Sequence, residues 1–211
     1  MAIKEFWSDM VTRRSWEILL DLKMLPFEFI LIGGWAAFLW TKAHKSKDID
    51  IVLKDFKTLD YLKQHYDLRK NEQLRKYEIK IDEIDIDIYV PFFSKFVIPL
   101  QDLKNCSTKL EGIDVIIPEA LLILKQAAEI DRRGSIKGEK DAIDIMTLVL
   151  SVDVDFKKYR ALLEKYGLPH LSGELSKVIT AFSPKNIAYL GLNQREFKIR
   201  KAELLKKLKS E

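Results

Sequence analysis

Cysteine is almost missing from this chain: its 211 residues include only Cys106, which excludes an internal disulfide and a cysteine-built zinc cage. Histidine is nearly as scarce, and His44, His65 and His170 show neither metal-ligand spacing nor a Ser or Cys partner pattern. The few glycines form no Walker-type loop and no Rossmann triplet. Long apolar runs are lacking too. The longest, residues 27–40, holds Glu28 and two glycines and is too short to span a bilayer. The opening MAIKEFWSDM carries no secretory-signal pattern. Together these absences predict a soluble, cytoplasmic protein in a reducing setting, with no membrane partner.

What is present is a chain able to bury a core, with 47% hydrophobic and 32% charged residues. The net charge of +4 is localised. Residues 191–211 hold seven Lys or Arg against three acids, so the remaining 190 residues are neutral. The basicity sits in the tail, and the body concentrates its acids in two short places.

Periodicity divides the chain near residue 117. Before it, helical spacing covers 5–23 and ends at Pro26, an apolar run over 27–32 reads as a buried strand, and 35–43 reads as a helix. A basic loop over 42–47 leads to a strand at 48–53, then a helix at 56–66. Two strands at 77–81 and 84–90 flank Asp82-Glu83, and a hairpin is expected around Glu111-Gly112. After it, Pro118 suits a first helical position, and helices are predicted over 119–132, 140–150, 156–166, 173–182 and 193–209. The loop over 133–139, with Lys137-Gly138, is expected to be mobile, and Arg132-Arg133 to be solvated. The expectation is an α/β (α+β) domain over 1–117, a mixed sheet flanked by helices, followed by a helical domain over 118–211.

The acids carry the chemistry. Asp48 and Asp50 lie two apart on a strand, so both carboxylates project from one face while Ile49 and Ile51 point into the core. Asp85 and Asp87 repeat the arrangement against Ile84, Ile86 and Ile88. Side by side, such strands offer three acids to hard divalent cations, enough for a two-metal phosphoryl-transfer site with ions roughly 3.5–4 Å apart. Alternating acids also mark any half-exposed strand and protect sheet edges, so the second pair alone has a plain structural explanation. Gly33-Gly34 shifts the balance. A strand, a glycine turn and a helix start together present backbone N–H groups and a positive dipole end to a phosphate.

Gly33-Gly34, a short helix and then Ser46-Lys47-Asp48-Ile49-Asp50-Ile51 resembles the signature of the polymerase β-type nucleotidyltransferase superfamily, over roughly residues 27–90. The Gly-Gly-Trp opening is similar to its lincosamide and minimal branches. The resemblance implies that Asp48 and Asp50 hold Mg²⁺ (or Mn²⁺) and that a third acid, Asp87 or alternatively Asp85, binds the metal that activates the acceptor. It implies that Gly33, Gly34, Ser46 and Lys47 face the nucleoside triphosphate. Residues 118–150 resemble the helical module of the abortive-infection nucleotidyltransferase toxins, in which Lys125, Lys140 and Asp144 would grip and orient the nucleotide; Lys140-Asp141 opens the matching segment. A snorkelling Lys125 and exposed capping pairs at Lys140, Asp141 and Asp144 are the structural alternatives.

For the other candidates, packing is the stronger reading: a surface position for His44, core positions for Phe6, Trp7, Trp35, Phe38 and Trp40, and core packing over base stacking for Tyr89 and Phe92-Phe93. The tail places Phe197, Leu204, Leu205 and Leu208 opposite its cations, as in a docked amphipathic helix, with RNA phosphates as the other possible occupant of the basic face. The expected function is transfer of a nucleoside monophosphate to an acceptor hydroxyl on RNA or tRNA, protein or a small molecule. A toxin role with a cognate antitoxin belongs to the same resemblance. The rivals are a catalytically inactive nucleotide- or RNA-binding module of the same fold, and an antitoxin-like structural partner.

Overall fold

Aliphatic residues at every second position build the sheet, and the computed structural model describes residues 4–210 of the chain. Residues 1–3, part of the stretch read above for a targeting signal, and Glu211 lie outside the described residues, as do the side chains of Lys209 and Ser210. Among the described residues no helix is long and apolar enough to cross a membrane.

Seven strands form one mixed sheet: β1 (Phe29–Ile32), β2 (Ile49–Leu53), β3 (Arg69–Asn71), β4 (Lys76–Ile81), β5 (Ile84–Tyr89), β6 (Ser107–Leu110) and β7 (Ile113–Ile116). Their order is β3-β4-β5-β2-β1-β7-β6. The two central acid-bearing strands, β2 and β5, run parallel, whereas β2 is antiparallel to β1. Ile49, Ile51, Ile84, Ile86 and Ile88 are all essentially inaccessible, as period-2 burial requires. The sheet unit also holds α1 (Asp9–Lys23), α3 (Thr58–His65) and all but the last two residues of α2 (Gly33–Thr41). Trp35 lies buried between Trp16 and Phe38, and its indole N–H donates to Ser15 Oγ at 2.8 Å. A buried tryptophan that keeps a hydrogen-bond partner avoids a desolvation penalty.

The contacts group the chain into two units. The sheet unit comprises Trp7–Leu39 and Lys45–Ile117. The helical unit comprises residues 118–210 with 4–6 and Trp40–His44, so two short pieces of the amino-terminal half group with the helices. It contains α4 (Pro118–Asp131), α5 (Ile136–Ser151), α6 (Phe156–Lys165), α7 (His170–Ala181) and α8 (Gln194–Ser210). Gln126 ties three of them: it donates to the Leu171 carbonyl at 2.7 Å and accepts from Tyr159 Oη at 2.6 Å. Phe197 and Leu204 of α8 are buried, which is the docked amphipathic helix expected of the tail.

Three expectations need correction. The segment predicted as a mobile loop over 133–139 already contains the first turn of α5: Ser135 caps it, accepting from the Gly138 N–H at 3.0 Å. Gly138 serves close packing, since a Cβ there would lie 2.3 Å from the Arg132 carbonyl oxygen. Arg132 and Arg133 are exposed, as expected, and are also ion-paired, Arg132 to Asp141 at 2.6 Å and Arg133 to Glu129 and Glu174 at 2.7 and 3.0 Å. His44 is buried in the helical unit with its ring edge-on to Tyr189, and burial together with the Lys140 charge holds its pKa below the ordinary 6.5. Phe92 is fully exposed instead of packed in the core.

Candidate active site

Register brings the acids together. In the parallel ladder Asp50 of β2 lies directly beside Asp87 of β5, and on its other side Asp50 faces Ile32, the residue before Gly33. Asp48 stands two residues earlier, and its negative charge raises the pKa of Asp87. Asp85 is one pleat further from this pairing, opposite Lys80 of β4. Tyr89 Oη approaches Asp50 Oδ1 at 3.4 Å, from a ring that stacks edge-on with Phe96.

The glycine turn closes onto these strands. Gly33 has a φ of +67°, a left-handed conformation that side chains disfavour, and a Cβ built on it would lie 2.1 Å from Asp50 Oδ2. A Cβ on Gly34 would lie 2.5 Å from Ser46 Oγ. Both glycines are therefore needed for the backbone to come this close to the acid strand and to the residues leading into it.

Lys76, which the sequence reading left outside the site, balances the third acid. Its Nζ donates to Asp87 Oδ2 at 2.7 Å and pairs with Glu78 at 3.0 Å. Asp87 is nonetheless raised above the ordinary carboxylate value, because burial outweighs the lysine. Its second oxygen, Oδ1, is buried without a hydrogen-bond partner. Lys76 was legible in principle. A strand facing the acid strand across Asp82-Glu83 puts Lys80 opposite Asp85 and Glu78 opposite Asp87, with Lys76 one pleat on.

Among the described residues no group of three or more His, Cys, Asp or Glu is gathered into a cation site. The donor chemistry still suits a hard divalent cation. The acids offer only carboxylate oxygens, one buried oxygen lacks a partner, and Mg²⁺ needs one or two protein carboxylates beside water and phosphate oxygens.

Lys125, Lys140 and Asp144 lie in the helical unit, and all three are buried. Lys125 Nζ is 2.8 Å from Asp144 and 3.1 Å from Asp141, and Lys140 also pairs with Asp144. The two carboxylates raise the pKa of Lys125, while burial lowers that of Lys140. These charges face one another, so a phosphate contact there requires the pairs to open.

No family model matches the chain, and no curated protein matches it. Solved structures do. A provisionally assigned nucleotidyltransferase from H. pylori aligns with a TM-score of 0.52 at 15% identity, over 96% of this chain and 98% of that one. A nucleotidyltransferase-like antigenic protein from Paracoccidioides brasiliensis aligns at 0.43 and 18% identity, over 80% of this chain and 93% of its own. The Megavirus polyadenylate synthase aligns at 0.41 and 14%, over 72% of this chain and 39% of its own. With a mixed seven-stranded sheet and a helical carboxy-terminal region, the chain has the nucleotidyltransferase fold.

Proposed function

We propose that this protein is a metal-dependent nucleotidyltransferase, moving a nucleoside monophosphate from a nucleoside triphosphate to an acceptor hydroxyl with release of pyrophosphate. The observation that carries the reading is the Asp50–Asp87 register pair, with Asp48 beside it and Gly33 against the Asp50 carboxylate.

Asp48, Asp50 and Asp87 would hold Mg²⁺ or Mn²⁺, which when bound supplies Lewis-acid polarisation of the phosphoryl group and of the attacking hydroxyl. The chain itself orients and balances charge. The backbone at Gly33 and Gly34, at the start of α2, suits the triphosphate because a helix start offers N–H groups and positive potential. Ser46 and Lys47 immediately precede the acids, and Ser46 Oγ would lie 2.5 Å from a Cβ on Gly34. The acceptor oxygen attacks the α-phosphorus, the bond to pyrophosphate breaks, and the hydroxyl proton passes to Asp87, which the strand register sets beside Asp50. No covalent protein intermediate is required, so positioning and electrostatics do the catalysis.

The test is incorporation of each of the four α-labelled nucleoside triphosphates with magnesium, total cellular RNA and total protein. Label on RNA, protein or a small molecule, absent with Asp48→Asn/Asp50→Asn, is the expected result. No label in any lane, with no magnesium-dependent nucleotide binding, would sink the reading.

A further inference from the structure

Strand β4 presents charged side chains to the third acid. Glu78 lies directly opposite Asp87, and Lys76, two residues earlier on β4, shares that face one pleat away. A long side chain can cross such a diagonal, and Lys76 does: its Nζ donates to Asp87 Oδ2 at 2.7 Å. The same Nζ lies 3.0 Å from Glu78 Oε1, which also accepts from Asn71 Nδ2 of β3 at 3.1 Å. Lys76 therefore has a second carboxylate in reach, and that carboxylate is anchored independently of Asp87.

The pair differs from an ordinary surface ion pair. The side chains of Lys76 and Asp87 are only 13% and 16% exposed, so water screens their attraction in part. The ammonium takes up Asp87 Oδ2, while Oδ1 is buried without a hydrogen-bond partner. Asp50 beside it in the ladder and Asp48 nearby add like charges. An acid in this company needs a positive charge, and Lys76 supplies one from within the chain. A hard divalent cation seeks the same carboxylate, so ammonium and cation compete for it.

We propose that Lys76 is a displaceable counter-ion of the third acid: it holds Asp87 until a divalent cation arrives, then yields that carboxylate and stays with Glu78. Lys76 is thus a positioning residue that acts through Asp87 and sets how readily the site fills. The inference rests on the metal-dependent reading above.

The experiment is titration of the full chain with Mn²⁺ at about pH 8, without triphosphate, followed by the electron paramagnetic resonance signal of the free ion. Lys76→Met, uncharged and of similar reach, should bind Mn²⁺ roughly tenfold more tightly. Repulsion between an ammonium and a divalent ion about 6 Å apart is worth about that factor even at the dielectric constant of water. Lys76→Arg keeps the charge and should leave the affinity close to that of the original chain. In an Asp87→Asn background Lys76→Met should gain much less, because the contested carboxylate is gone. Circular dichroism checks the folding of each variant, and Lys76→Gln repeats the test if the methionine variant does not fold. Unchanged or weaker Mn²⁺ binding in the uncharged variants, an equal gain with Asp87→Asn, or no Mn²⁺ bound by any of the chains would overturn the proposal. Label transferred in the incorporation assay, with Mn²⁺ affinity unmoved by Lys76→Met, sinks this inference alone. The expected gain in Mn²⁺ affinity with no label on any acceptor sinks the enzyme reading and leaves Lys76 as the counter-ion.

Discussion

At Asp87, burial pushes the carboxyl pKa up and Lys76 pulls it down, with burial winning. A raised folded-state pKa means that the folded chain holds the proton to higher pH than the unfolded chain does. The stabilisation this gives is therefore complete in acid and is lost as pH rises from the ordinary 3.8 through the folded value. Lys76→Met removes the only lowering influence, so the Asp87 carboxyl should titrate at still higher pH. Carbon-13 NMR of the aspartate carboxyls measures this directly, and an unmoved Asp87 resonance would show that the 2.7 Å pair does not persist in solution. His44 has the opposite sign. Its lowered pKa keeps the ring neutral in the fold, so its burial favours folding above pH 6.5 and opposes it as acid protonates the unfolded chain.

Among the elements, α4 and α5 are joined by a charge cluster rather than by apolar contact alone: Lys125 on the first reaches Asp141 and Asp144 on the second. Removing one member of a buried set leaves its partners uncompensated, a loss of about 3–5 kcal/mol. Lys125→Met should thus lower the unfolding temperature by about 6–20 °C, at about 2–4 °C per kcal/mol for a chain of this size, as read by circular dichroism. A shift below 2 °C would mean that Arg132 and Lys140 suffice for the two acids. The alternating strands β2 and β5 and the helices of the carboxy-terminal half were legible in the sequence because their periods are regular. The strand β3 was not, since Arg69-Lys70-Asn71 has no apolar alternation and is recognised by its backbone ladder to β4, to which Asn71 adds a side-chain bond to Glu78 at 3.1 Å. The start of α5 was hidden by Gly138, which reads as a loop residue until the Arg132 carbonyl is seen against it. In the site, spacing gave Asp48, Asp50 and the 85/87 pair; pairing of Asp87 with Lys76 needed the hairpin register.

On the scale of the whole molecule, the charge surplus resides in a helix whose apolar side is already buried through Phe197 and Leu204. Ligand linkage gives a test of the whole chain that does not depend on turnover. A nucleoside triphosphate with magnesium at 100 times its dissociation constant adds about 2.7 kcal/mol to the unfolding free energy, or about 5–11 °C. Tryptophan fluorescence suits the readout, because Trp16 and Trp35 lie in the sheet unit with the acids. The rise should vanish in Asp48→Asn/Asp50→Asn; an equal rise in that variant would place the nucleotide elsewhere.

The contact between Gly34 and Ser46 makes the history of this turn depend on the order of events. With Ser46 present, Gly34→Ala places a methyl 2.5 Å from a hydroxyl oxygen; with Ser46→Gly already made, the nearest remaining atom, the residue 46 Cα, is 3.9 Å away. The two changes are then non-additive, each altering what the other costs. A lineage can trade away this glycine by one route and not by the reverse, with position 46 shrinking first. A descendant that carries alanine at 34 should also carry glycine at 46.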